Sequence, residues 1–143
     1  MKKALVIVLM ITTFVFVLVG CELGPKPYAF RKTVNEVAEI EICQFTVDDE
    51  IIPLKSLNQN EISAIWTDIK ALDCEYSLID YPRTYGPLII LITYKDGSGE
   101  ILGCMNTGHF EKDGEWHFTC YSFKSADLHG MLEKYVDPEV LYS

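Results

Sequence analysis

"LIILITYKDGSGEILGCM", Leu88 to Met105, decides the fold. Two apolar runs flank Asp96-Gly97, the strongest short hairpin signal in a sequence. The first run is too apolar to have a freely solvated face, so it reads as a strand covered on both sides. Alternation places Ile89, Leu91 and Leu102 on one face of the hairpin, and Leu88, Ile90 and Ile101 on the other.

Downstream, "HFEKDGEWHFTCYSF" repeats the device with Asp113-Gly114 and runs into a fourth, aromatic-rich strand. Upstream, "VAEIEICQF" from Val37 sets Ala38, Ile40 and Ile42 opposite Glu39 and Glu41, the pattern of a half-buried strand. Asp48 to Glu50 make a turn. Ile51 to Leu54 can add a short strand, which Pro53 would confine to an edge. Asn58 with Glu61 forms a capping pattern, and Ile62, Ile65, Trp66, Ile69 and Leu72 follow with helical spacing. That helix ends near Asp73-Cys74. A second helix starts at Ser125, carries Leu128, Met131, Leu132 and Tyr135, and stops at Asp137-Pro138. The predicted class is α+β: an antiparallel sheet of about four strands with two helices packed on one face.

The chain begins as a secretion signal does. Lys2 and Lys3 precede an apolar run from Ala4 to Val19, which at 16 residues is short of the roughly 20 needed to span a bilayer. Leu18-Val19-Gly20-Cys21 follows, and this tetrad resembles the lipobox of bacterial lipoprotein signal peptides. The resemblance implies cleavage before Cys21 and a diacylglyceryl group on its thiol, giving two acyl chains where one would anchor only marginally. The alternative is an uncleaved N-terminal anchor. The expected organisation is a signal peptide at residues 1–20, a lipidated cysteine and tether at 21–34, and one α+β domain at 35–143. In the tether, Lys26, Arg31 and Lys32 are expected to be solvated near the membrane.

Removing Lys2 and Lys3 leaves ten basic residues against 21 acidic ones, a net charge of −11. Such a domain repels nucleic acid, and no nucleic-acid partner is expected. "DGEWHF" (Asp113 to Phe118) with "SADLHGMLEKY" (Ser125 to Tyr135) resembles small Gram-positive lipoproteins, whose likeness implies an anchored envelope domain and no particular chemistry. The sheet-and-helix order also looks like β-lactamase-inhibitor-type modules in architecture alone.

With Cys21 set aside, Cys43, Cys74, Cys104 and Cys120 make an even count for an oxidising compartment. Turn centres near residue 112 favour Cys104–Cys120, which leaves Cys43–Cys74. Four free thiols are the alternative, and a one-residue register change separates the first pair. Cys104, His109, His117 and Cys120 are close in sequence. However, His117 and Cys120 point to opposite faces of one strand, so no metal site is nominated. "DGSGE" lacks the later ligands of a calcium loop and reads as a turn. No nucleophile elbow, zinc-protease motif or phosphate loop occurs, so neither an enzyme nor a cofactor is expected.

Two features point to recognition. The segment with Tyr76, Tyr81, Pro82, Arg83, Tyr85 and Pro87 is aromatic and basic in an acidic chain, the composition of binding hot spots. The sheet face away from the helices retains Ile89, Leu91 and Leu102. Together they suggest a non-enzymatic module on the outer face of the cell membrane that binds a protein or peptide. The alternative is an envelope lipoprotein that self-associates as a homodimer, and a thiol-dependent or other enzyme is the third and least favoured reading.

Overall fold

The computed structural model describes residues 24–46, 50–76 and 88–141. Along the chain the elements are β1 (Lys26–Pro27), a 3-10 turn (Val34–Glu36), β2 (Val37–Phe45), β3 (Ile51–Ser56), α1 (Gln59–Lys70), β4 (Asp73–Tyr76), β5 (Leu88–Tyr94) and β6 (Gly99–Gly103). They continue with β7 (Thr107–Phe110), β8 (Trp116–Thr119), β9 (Tyr121–Phe123), α2 (Ser125–Leu132) and α3 (Pro138–Leu141).

The chain is mostly β, and this corrects the expected four-strand α+β sandwich. One antiparallel sheet has six strands in the order β3-β2-β5-β6-β7-β8, and a second has three in the order β1-β4-β9. The second sheet arises because the expected aromatic-rich strand breaks at Cys120. There the Thr119 hydroxyl accepts a hydrogen bond from the Tyr121 amide at 3.3 Å. β8 therefore stays with β7, while β9 crosses to pair with β4. A bend of this kind is how one strand serves two sheets.

The helices are short and share one side with the small sheet. Ile62, Ile65, Trp66 and Ile69 of α1, Leu128, Met131 and Leu132 of α2, and Cys74 and Phe123 of the small sheet join Ile40, Ile42, Ile90, Ile92 and Leu102 in one core. α1 starts as its sequence dictates. The Asn58 side chain accepts from the Asn60 and Glu61 amides, and Glu61 reaches back to the Asn58 amide at 2.9 Å. β3 lies at a sheet edge, where the missing N–H of Pro53 is tolerated.

Register is fixed by two loops of the same sequence, Lys-Asp-Gly, at 95–97 and 112–114. In each, glycine takes a left-handed conformation (φ 89° at Gly97, 87° at Gly114) and aspartate accepts the amide two residues on. The loops hold three residues, not two, so Leu91 faces Ile101 and Ile90 faces Leu102. A two-residue turn would have put Leu102 beside Leu91, which was the expected grouping. One extra loop residue inverts it. Leu102 is thus fully buried in the main core, and Ile101 joins Cys43 and Ile89 in a smaller cluster on the other face. A bulge between Val37 and Glu39 makes the same kind of exchange in β2, burying Val37 in place of Ala38.

Residues 26–34, expected as part of a solvated tether, pack onto the domain. Phe30 stacks on Trp66 with ring centroids 3.6 Å apart, and Tyr28 meets Phe30 edge-on. Lys26 donates to the Tyr121 hydroxyl at 2.9 Å, Arg31 pairs with Glu111 at 3.0 Å, and Lys32 pairs with Asp96. The three cations are engaged by the domain itself.

Candidate functional site

Two rows of directly paired residues cross the inner face of the large sheet. One runs Ile42, Ile90, Leu102, Thr107, Thr119. The other runs Ile40, Ile92, Glu100, His109, His117. Both rows turn from apolar to polar as they leave the helices and reach the β7–β8 hairpin. The polar end of this face and the aromatic outer face of the same hairpin are the two places where the fold gathers functional groups.

On the inner face, Glu100 has no exposure. Its carboxylate accepts hydrogen bonds from the Tyr28 and Tyr94 hydroxyls and, at 2.8 Å, from the Arg31 amide. Burial, followed by the adjoining carboxylate, holds the Tyr28 phenol above its ordinary range. Tyr94 is raised by burial and its bond to Glu100. Three donors offset the cost of burying a charge and clamp the N-terminal segment to the sheet.

Beyond Glu100 the rings of His109 and His117 stack with centroids 4.8 Å apart, as a direct cross-strand pair allows. Glu111, two residues after His109 on the same side of the strand, places Oε1 3.8 Å from His109 Nε2. Glu115 Oε1 lies 4.0 Å from His117 Nε2. Burial, then the positive charge of Arg31, then His117, lower the His109 pKa, which favours its neutral imidazole. Beside His109 a cleft of ≈ 170 Å³ opens under the Lys26–Ala29 segment, with Thr107, Thr119 and Tyr121 on its walls.

The outer face carries the opposite chemistry. Phe110, Trp116 and Phe118 form a contiguous aromatic strip, with centroids 4.8 Å apart for Phe110–Trp116 and 6.5 Å for Trp116–Phe118. Trp116 and Phe118 are 41% and 50% exposed. Gly99 lets the strip lie flat, since a Cβ there would fall 2.2 Å from both the Phe110 ring and the Ile92 carbonyl oxygen. β8 pairs only with β7 among the described residues, so the aromatic strip adjoins a sheet edge.

The recognition residues expected from sequence are scattered. Tyr76 is 37% exposed and meets Tyr121 edge-on in the small sheet. Tyr81, Arg83 and Tyr85, with Pro82 and Pro87, lie outside the described residues, as does Cys21. Ile89 is buried and Leu91 half-buried on the outer face, whereas Leu102 is buried on the inner one. No disulfide joins Cys43, Cys74, Cys104 and Cys120 in the described structure. Cys43 and Cys74 sit in separate clusters of core residues, and β8 ends one residue before Cys120. Sequence reasoning passed over Trp116 and Phe118, although their i, i+2 spacing after Asp113-Gly114 already assigned them one face.

No family model, curated protein or solved structure matches the chain. Among the described residues no helix is long and apolar enough to cross a membrane.

Proposed function

We propose that the chain is a lipid-anchored extracytoplasmic binding module. Its β8 edge and outer aromatic strip hold an extended segment of another envelope protein. The observation that carries this reading is the exposure of Trp116 and Phe118 side by side on a strand whose one neighbour among the described residues is β7. A strand added to such an edge gains main-chain hydrogen bonds from the edge and side-chain contact from the adjoining rings. Aromatic side chains of this kind are the usual anchors of interfaces. The net charge of −11 after signal removal favours a basic partner segment. The reading is non-catalytic, because it requires only a surface.

The anchor is Cys21, on the lipobox resemblance. With Lys26 already in β1, only five residue steps separate the lipid from the fold, at most about 18 Å. The domain would then sit against the membrane, with β1-β4-β9 nearest to it.

The test is recovery of the membrane-anchored chain from cross-linked envelopes, comparing wild type with Trp116→Ser/Phe118→Ser. About half of each ring packs on its neighbours, so the variant is expected to melt below wild type yet stay folded, and recovery is compared below its melting temperature. The reading predicts a second polypeptide co-recovered with wild type and reduced at least about tenfold in the variant. Cys21→Ser should move the chain from the detergent phase to the aqueous phase. Recovery of copies of the chain alone, lost in the same variant, would replace the partner with self-association. Equal recovery in both forms would reject the aromatic strip.

A further inference from the structure

His109, Glu111 and His117 offer one ligand atom each, and the three atoms lie within 4.8 Å of one another. They come from both arms of one hairpin, held in place by the three-residue Lys112-Asp113-Gly114 loop and the direct His109–His117 pairing. Glu115 adds a carboxylate at the side of His117, and its strand partner Glu111 faces it across the same hairpin. We propose that these residues form a binding site for a borderline divalent transition-metal ion, zinc in the first instance, with His109, His117 and Glu111 as ligands and Glu115 able to close the fourth position.

Two imidazoles and a carboxylate suit zinc, nickel or copper, and they suit calcium and magnesium poorly, since those ions take oxygen alone. Tetrahedral coordination at about 2.0–2.1 Å places ligand atoms roughly 3.3 Å apart, so the trio must contract by about 1.5 Å. His117 and Glu111 have side chains 43% and 44% exposed and can rotate to do so. His109 is the more enclosed at 24%, and supplies the fixed point. Arg31 contacts Glu111 through Oε1 at 3.0 Å. That oxygen is also the one 3.8 Å from His109 Nε2, so on metal binding the carboxylate must turn to offer one oxygen to the ion while the other keeps Arg31 as the outer hydrogen bond that ligating carboxylates usually have. No cysteine belongs to the trio among the described residues. The sequence-adjacent Cys104 and Cys120 are therefore not its ligands, and zinc capture by thiols is a separate outcome to be tested.

The experiment is equilibrium dialysis of the full chain in detergent against zinc chloride, with cobalt substitution as a spectroscopic probe. The proposal predicts one zinc per chain, undisturbed by excess calcium. It also predicts a cobalt visible spectrum of nitrogen and oxygen ligation, without the near-ultraviolet thiolate band. His109→Ala and the milder His117→Gln should each weaken zinc binding by at least about 100-fold. Cys104→Ser/Cys120→Ser should leave it unchanged. His117→Gln, at a half-exposed position, keeps the test valid if His109→Ala does not fold. The proposal is overturned if no saturable zinc binding occurs, if binding survives both histidine substitutions, or if it disappears with the cysteines while the histidines remain.

Discussion

Cys43 and Cys74 are both buried, and burial pushes each thiol up to about 12. A raised pKa means less thiolate, and at pH 8 only about one molecule in 10,000 carries it at either position. Alkylation of the native chain at pH 8, read site by site by mass spectrometry, should therefore label exposed Cys120 and spare Cys43 and Cys74 until the chain is unfolded. Labelling of Cys43 at the rate of Cys120 would contradict this burial. At this scale the sequence was informative where a side chain has only one role open to it. Asn58 and Glu61 cap α1 as their spacing requires, and Ile62, Ile65, Trp66 and Ile69 enter the core. Glu100 was opaque for the opposite reason. A glutamate three residues after the turn glycine of a hairpin, Gly97, reads as a solvent-facing residue. Its burial depends on Tyr28 and Arg31, about 70 residues away in the chain.

Among the elements, the N-terminal segment and the β7–β8 hairpin depend most on single contacts. The segment is held by aromatic packing and by the Glu100 carboxylate. Glu100→Gln keeps the shape but removes the charge that both tyrosines and the Arg31 amide address. Hydrogen bonds to charged groups are worth about 1.5–3 kcal/mol each, and an amide replaces only part of this. The variant should lose about 1–3 kcal/mol in urea unfolding. Amide exchange over Lys26–Arg31 should quicken more than in α1. Unchanged exchange in that segment would show that the aromatic contacts alone suffice. Hairpin existence was legible from Asp96-Gly97 and Asp113-Gly114, but loop length was not, because Asp-Gly also ends three-residue loops. That single residue decided whether Ile101 or Leu102 entered the main core. β1, β4 and β9 were illegible for a simpler reason: strands of two to four residues are too short to display alternation.

At the scale of the molecule, the six-stranded sheet divides labour between its faces. The inner face is covered by α1, α2, the small sheet and the N-terminal segment, and becomes polar only at the β7–β8 end. The outer face carries an apolar band, from Phe45 and Leu91, packed on the small cluster, to exposed Trp116 and Phe118 at the last strand, with Glu39 and Glu41 of β2 beside it. The sequence pattern grouped Ile89, Leu91 and Leu102 on one face, whereas Ile89 and Leu91 lie on the outer face and Leu102 on the inner one. The exposed part was not legible, because exposure depends on strand order, and among the described residues β8 is an edge once β9 leaves for the other sheet. The proposed function turns on occupation of this edge by another protein in the envelope. A photoreactive phenylalanine at position 118 of the membrane-anchored chain, irradiated in intact cells, tests it directly. Placement at position 60, on the exposed side of α1, serves as control. The expected result is a covalent adduct with a second polypeptide from position 118 and none from position 60. No adduct from either position, or the same adduct from both, would contradict it.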